Sequence, residues 1–581
     1  MQILTTLHHY DLNSFYIFSK RLVCFIMTEE KISVYPDYDH DPNIKRHDFP
    51  SDFMFGVGTS SYQIEGAWNA DGKGLNIWDC HALRHPENIV DGSNACVTID
   101  SYHRMKEDVQ LLKKMGVKYY RFSISWSRIL PGGKVSMGKN LEGINYYNKL
   151  IDELKANDIE PFVTLYHWDL PNALEEEYMG FLSSKIVDDF VNYAEICFWE
   201  FGDRVKNWVT INEPYRIIYG GYVKGNYAPG RGGKNQDGDR ETEPYIVAYN
   251  LLNCHAAAYR KYEEDYKDAQ KGKVGISLDT SFFKPFRGNG NKDDVKAVEY
   301  AYDFMLGWFM EPLTCGNWPK NIQKFATTPS RHHPQGRYLP VFTDDQKNKL
   351  IQSYDFLGLN YYTADYAQIH NSSSLSEGFL DDCHYKASGT DPNGNDIGEA
   401  AFKGSWVYLC ANELFLLLEH IKNTYKLEKH IIVTENGAPQ QNDNQKTNYE
   451  QARDDAFRLK YVKWHLEAIR RANNSYQLFS SERTKPLVMG YFVWSFTDSY
   501  EWGSGYTLRF GMNYVDFKNN LHRYPKKSAL WFKKFLSENK WIEPRKRSLT
   551  NVEQEDEDVN GALVKPEQEI EVVQKLKKAK T

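Results

Sequence analysis

Short runs of apolar and β-branched residues alternate along this chain with longer segments whose apolar positions recur at helical spacing. Phe53–Val57, Val117–Ile124, Ile159–Leu165, Val205–Ile211, Lys273–Leu278, Tyr354–Leu359, His430–Val433 and Leu487–Val493 read as strands. Ser101–Met115, Asn145–Ala156, Lys185–Phe201, Glu243–Tyr266, Ala297–Met310, Asn412–Tyr425, Ala452–Ala472 and Ser528–Phe535 read as helices. Tyr146, Leu150, Ile151 and Leu154 give the second of these its apolar side. Gly116 and Gly202 stand where a helix would be closed. Regular alternation of strand and helix implies a parallel sheet. Eight such units predict an α/β fold, a single (β/α)8 TIM barrel with long loops at its C-terminal face. An open doubly wound sheet is the alternative. It wants a glycine fingerprint at the first turn, and Gly56-Val57-Gly58 lacks the third glycine.

In such a barrel the active site is built where strands end. Gln63, Arg121, His167, Trp168, Asn212, Glu213, Tyr362, Glu435 and Trp494 cluster at those ends. Two runs share one shape: Thr210-Ile211-Asn212-Glu213-Pro214, and Val433-Thr434-Glu435-Asn436-Gly437. Each is an apolar strand that runs into a glutamate and then a breaker. They end strands four and seven, so their carboxyl groups are expected on opposite sides of the mouth. Glycosidic cleavage needs two such groups, one to protonate the leaving oxygen and one to attack the anomeric carbon or activate water. A gap of about 5–5.5 Å gives retention of configuration and about 6.5–9.5 Å gives inversion. Arg121, at the end of strand two, is placed to keep one carboxylate ionised. Asn212 is a candidate for a sugar hydroxyl, and Tyr362 for the nucleophile. Each has a plainer role open to it, as a buried ion-pair partner or a helix cap.

Composition narrows this reading. Aromatic residues make up 15% of the 581, with 14 Trp and 40 Tyr, which suits either a large aromatic core or a site for sugars and polycyclic ligands. A net charge of −7 argues against a nucleic-acid-binding body. The eight cysteines form no CxxC pair, so no metal site is expected; no cofactor is expected either. No apolar run is long enough to span a membrane. Residues 1–47 read as an N-terminal extension, 48–542 as the barrel and 543–581 as a disordered charged tail. Met27 is an alternative start, and residues 1–26 make a poor signal peptide. Pro544-Arg545-Lys546-Arg547 and Lys575-Leu576-Lys577-Lys578-Ala579-Lys580 are basic clusters with two readings, nuclear import or a solvated tail. The expected location is nucleus or cytoplasm, not secreted, so the sequons at Asn371 and Asn473 carry no weight. Insertions at 225–243, 327–345, 370–405 and 438–450 follow strand ends, and 370–405 is read as a pocket rim.

The motifs together resemble glycoside hydrolase family 1, the retaining β-glucosidases, from about Phe49 to Phe535. Besides the two glutamate motifs these are Ser61-Tyr62-Gln63-Ile64-Glu65-Gly66, Tyr120-Arg121-Phe122-Ser123-Ile124-Ser125-Trp126 and Tyr166-His167-Trp168-Asp169-Leu170-Pro171. The resemblance implies Glu435 as nucleophile and Glu213 as acid/base. It implies Gln63, His167, Asn212, Glu501 and Trp502 as holders of the glucose hydroxyls, with Trp494 as the floor. Trp168, Tyr362 and Phe510 complete the implied substrate-binding set. Family thioglucosidases carry Gln at the acid/base position, so Glu213 favours an O-glycosidase. Two stretches depart from the pattern, Asp498-Ser499-Tyr500-Glu501-Trp502 and Ala411-Asn412-Glu413. Gly180-Phe181-Leu182-Ser183 and Ala228-Pro229-Gly230-Arg231-Gly232-Gly233-Lys234 look like the plant alkaloid glucosidase branch. That branch implies a small-molecule β-glucoside substrate, with strictosidine expected first and raucaffricine, iridoid or ipecac-type glucosides as alternatives. It also implies a homo-oligomer, and Tyr215 and Trp406 are the candidate aglycone contacts. A non-catalytic sugar-binding or scaffold protein on the same fold is the reading of another class.

Overall fold

The computed structural model describes residues 38–538 except 234–236, 329–334, 337, 371–382, 443–448 and 480–485. All of these lie within Met1–Trp541, the larger of two units into which the chain divides. The expectations for residues 1–37, for Asn371 and for the tail from 543 fall outside the described residues. Residues 38–47, read as part of an extension, are held in place. Tyr38 meets the Trp464 ring edge-on at 5.0 Å, and its hydroxyl accepts from the Asn412 amide at 3.0 Å.

The barrel strands are β1 (Met54–Gly58), β2 (Tyr119–Ser123), β3 (Glu160–Tyr166), β4 (Asn207–Asn212), β5 (Lys273–Asp279), β6 (Phe356–Asn360), β7 (Ile431–Asn436) and β8 (Val488–Trp494). They close in the order β1-β8-β7-β6-β5-β4-β3-β2, every neighbour parallel. The helices between them include α1 (Ser101–Met115), α2 (Leu141–Ala156), α3 (Lys185–Phe201), α4 (Glu243–Asp265), α5 (Lys292–Tyr302), α6 (Trp308–Cys315), α7 (Ala411–Thr424), α8 (Ala456–Phe479) and α9 (Lys527–Ser537). The segment expected as one helix over 297–310 is two, α5 and α6, joined by a wider π turn at Asp303–Gly307. Periodicity cannot see that turn, because one extra residue leaves the apolar density unchanged. Gly116 closes α1 with φ +76°. Gly202 closes α3 in ordinary right-handed geometry. The Gln270 amide lies over it, and the end of that side chain would have to move to admit a Cβ.

Inside the barrel the two ends differ in chemistry. Phe162, Val209, Phe356, Ile432 and Phe492 fill the lower interior. The Phe162 ring lies 4.8 Å from Phe492 and 5.6 Å from Phe356. Gly56 and Gly275 face these rings, and a Cβ on either would come within 2.4 Å of Phe492 or 2.6 Å of Phe356. Burying each large apolar side chain contributes about 1.5–3 kcal/mol, so this layer is a solid floor. The next layer up is polar, and the strands deliver it to the mouth. Beside the mouth, Phe282–Pro285, Ala364–Ile369 and Tyr385–Ser388 form a small sheet from the insertions after β5 and β6.

Candidate active site

Glu213 and Glu435 both stand at the C-terminal mouth, and β5 and β6 separate their strands on the shorter side of the ring. They therefore stand three strand positions apart around the eight-strand ring, facing each other across the mouth. Strand alternation alone would send Thr434 and Glu435 to opposite faces. Register shifts interrupt the pairing of β7 with both its neighbours after Val433. Another interrupts β4 against β5 between Val209 and Asn212. Such bulges re-aim side chains. As a result Thr434 bonds inward to Asn360 Oδ1 at 2.6 Å while Glu435 also reaches the interior. Asn212 and Glu213 make the same double turn. Glu213 has φ +49°, Trp168 +77° and Trp502 +46°, left-handed conformations that bulky residues seldom adopt. Backbone of this kind concentrates at functional sites.

The two carboxyl groups have different surroundings. Glu435 Oε1 accepts from Arg121 Nη1 at 2.6 Å, and Oε2 accepts from the Tyr362 hydroxyl at 2.6 Å. Arg121 is fully buried and lies in the middle of β2, not at its end as its place in the motif suggests. Its long side chain crosses the barrel interior, so a mid-strand position still serves the mouth. Glu213 is held by one neutral donor, Asn360 Nδ2, at 2.7 Å. Burial pushes both carboxyls up. At Glu435 the Arg121 charge and the Tyr362 hydrogen bond oppose that rise. At Glu213 the Glu435 charge and Asp279 add to it, so this carboxyl lies well above the usual range. Glu435 is thus the group that ionises and Glu213 the group that keeps its proton.

Asn212 joins the halves. Its Oδ1 accepts from Arg121 Nη2 at 2.6 Å and Asn360 Nδ2 at 3.0 Å, which fixes its Nδ2 as donor to His167 Nε2 at 3.1 Å. His167 then carries its proton on Nδ1, which is buried without a protein partner. Burial, with the Arg121 charge, holds this imidazole neutral by pushing its pKa far down. Trp494 and Trp502 lie nearly parallel to it at 5.7 and 5.9 Å. Trp168 donates its indole N–H to Asn212 O at 3.0 Å and packs on Trp502 at 4.4 Å. Gln63 donates to Glu501 Oε2 at 3.2 Å, and burial with the Glu435 charge pushes the Glu501 carboxyl up to about 8. Phe510 meets the Tyr362 ring edge-on at 6.0 Å. Trp406 lies 5.7 Å from Tyr362 and is 49% exposed, a flat ring at the outer edge. Tyr215 is buried and stacks on Tyr219 at 5.6 Å.

Sequence reasoning missed Asn360, the donor to Glu213, and Thr434 and Ser277, which orient it. Asn360 ends β6 as Asn212 ends β4, and that parallel was the available signal. Among the described residues no cluster of three His, Cys, Asp or Glu is arranged to hold a metal, and no helix is long and apolar enough to cross a membrane.

Comparison with known proteins agrees with this geometry. The model of glycosyl hydrolase family 1 matches residues 45–541. A raucaffricine-O-β-D-glucosidase of Rauvolfia serpentina is 45% identical over 530 residues, covering 87% of this chain and 94% of that protein. A rice protein, β-glucosidase 24, is 46% identical over 498 residues, covering 85% and 94%. A rice β-glucosidase, solved as a Glu-to-Gln mutant in a covalent complex with glucose, superposes with a TM-score of 0.78 at 39% identity, covering 85% and 99%. Barrel, paired carboxyls and a family match along most of the sequence converge, and the chain belongs to glycosyl hydrolase family 1.

Proposed function

We propose that this protein is a retaining β-glucosidase working by double displacement, and that its substrate is the O-glucoside of a monoterpenoid indole alkaloid, with strictosidine first. The observation that carries the mechanism is the unequal setting of the two glutamates. Glu435, paired with Arg121 and bonded by Tyr362, is an ionised nucleophile. It attacks the anomeric carbon while Glu213 gives its proton to the glycosidic oxygen, and the aglycone departs as an alcohol. Glu213, now a carboxylate, takes a proton from water. The hydroxide so formed attacks the anomeric carbon of the glucosyl ester, which frees glucose and restores Glu435. The covalent glucose complex of the rice relative supports this two-step reading. Trp494, Trp502 and neutral His167 offer a flat wall and a polar edge suited to a pyranose. Replacing Glu435 with Gln is expected to abolish turnover of a chromogenic aryl β-glucoside. Retained turnover would end the mechanism, and a wild type that turns over no chromogenic β-glucoside would leave the scaffold reading.

The alkaloid assignment draws on the raucaffricine-cleaving relative and on the exposed Trp406 ring beside Tyr362, which suits a fused aromatic aglycone. Comparing kcat/KM for strictosidine, raucaffricine and secologanin tests it, and a preference for secologanin would move the assignment to iridoid glucosides. We also propose nuclear delivery by the basic clusters within 544–581. Deleting them from a fluorescent fusion is expected to abolish nuclear signal.

A further inference from the structure

The wall beside Glu213 carries a cation that bond cleavage does not use. Arg216 lies three residues after Glu213, on the short helix Pro214–Ile218. Its Nε donates to Asp279 Oδ2 at 2.7 Å. Asp279 ends β5 and pairs in register with Asn360, the residue that donates to Glu213. The ion pair is therefore built against the acid/base. Its two halves are unequally open. The Asp279 side chain is 4% exposed and its Oδ1 is buried, whereas 37% of the Arg216 side chain is accessible. Among the described residues neither Nη1 nor Nη2 of Arg216 has a hydrogen-bond partner. The accessible part of the pair thus consists of donors alone. A group that protonates the leaving oxygen stands on the leaving-group side of the sugar, and these donors sit on the helix that begins directly after it.

We propose that Arg216 is a specificity-determining residue that selects glucosides whose aglycone bears a neutral carbonyl oxygen, of a ketone or ester, close to the glycosidic bond. The inference rests on the β-glucosidase reading and adds a substrate feature to it. A guanidinium edge with two free N–H groups recognises an oxygen acceptor. The acceptor is neutral because Asp279, 2.7 Å away, already matches the Arg216 charge, and Asp365 stands close by as a second carboxyl. A carboxylate would meet more acidic groups than basic ones there. The Tyr215 ring, 5.8 Å from the guanidinium carbon, limits how the Arg216 side chain can swing.

The test uses meta-acetylphenyl and meta-isopropenylphenyl β-glucosides, whose leaving groups are nearly the same shape and differ in the carbonyl oxygen. Their kcat/KM values are compared in the wild type, in Arg216→Met and in Arg216→Met combined with Asp279→Asn. The double variant removes both charges, so it keeps the test valid where an unpaired buried Asp279 prevents folding. The carbonyl-over-alkene ratio is expected to fall about 10- to 100-fold, the size of a hydrogen bond to a charged group. The change should appear in KM more than in kcat. An unchanged ratio in a variant that still turns over either glucoside overturns the proposal. Wild-type turnover of neither glucoside overturns the glucosidase reading itself, and this inference with it.

Discussion

A single hydroxyl at the site sets a measurable pH limit. Tyr362 donates to Glu435 Oε2, which favours the ionised carboxylate and holds its pKa below what burial alone would give. Tyr362→Phe removes that donor, so the pKa of Glu435 rises. The acidic limb of the kcat/KM profile, where Glu435 loses its charge, should then move to higher pH. A hydrogen bond to a charged group is worth about 1.5–3 kcal/mol, and a pKa unit about 1.36 kcal/mol, so the move is about one to two units. The alkaline limb reports Glu213, which must keep its proton to act as acid. Activity should fall as pH rises through its pKa. A profile whose acidic limb stays in place in Tyr362→Phe would show that Arg121 and Asn360 tune the nucleophile without it. At this scale the motifs made Glu213 and Glu435 legible. Asn360 was not, because nothing local marks a strand-end amide as a partner of a glutamate 147 positions away.

Among the elements, the loop after β8 contributes two residues to the proposed sugar site. It carries Glu501 and Trp502, and Asp498 anchors it. This buried carboxylate accepts from Arg509 Nη1 and Lys526 Nζ, both at 2.7 Å, and from the Gly511 amide at 3.0 Å. Removing one partner of a buried pair leaves a charge without compensation and costs about 3–5 kcal/mol. Asp498→Asn is expected to lose that much in denaturant unfolding, and to raise KM for an aryl glucoside as Glu501 shifts. Wild-type stability in this variant would show that water can replace the carboxylate. Gly437 has a related duty. A Cβ there would lie 1.8 Å from the Trp494 carbonyl oxygen, so the turn after the nucleophile has room only for glycine. Apolar periodicity placed every barrel strand to within a few residues. The bulges in β4 and β7 were hidden, because they depend on pairing with a neighbouring strand and leave no trace in the strand's own pattern.

For the whole molecule, the family match ends at residue 541 and the described structure at 538. A chain ending at Trp541 holds the whole family match and is therefore expected to fold and to keep kcat/KM on an aryl glucoside within about twofold of the full chain. A large loss of activity would show that the charged tail supports the barrel. The Asn473 sequon is also decided at this scale. Its side chain is buried and bonds both N–H and C=O of Val488, so it braces α8 against β8 and is closed to modification.

The sequence by itself determined the barrel, since eight strand–helix alternations leave few ways to bury their apolar faces. It also singled out the two carboxyls expected to do the chemistry, because glycoside cleavage requires a pair and the strand ends supplied one. Only the tertiary structure gave the two carboxyls different surroundings. Arg121 and Tyr362 come from β2 and from just beyond β6 to hold one glutamate ionised, and only closure of the barrel brings them there. The polar layer above the phenylalanine floor, the bulges that aim it, and the open donors of Arg216 have the same origin. Each depends on contacts between residues far apart in sequence, and a one-dimensional pattern carries no record of distance.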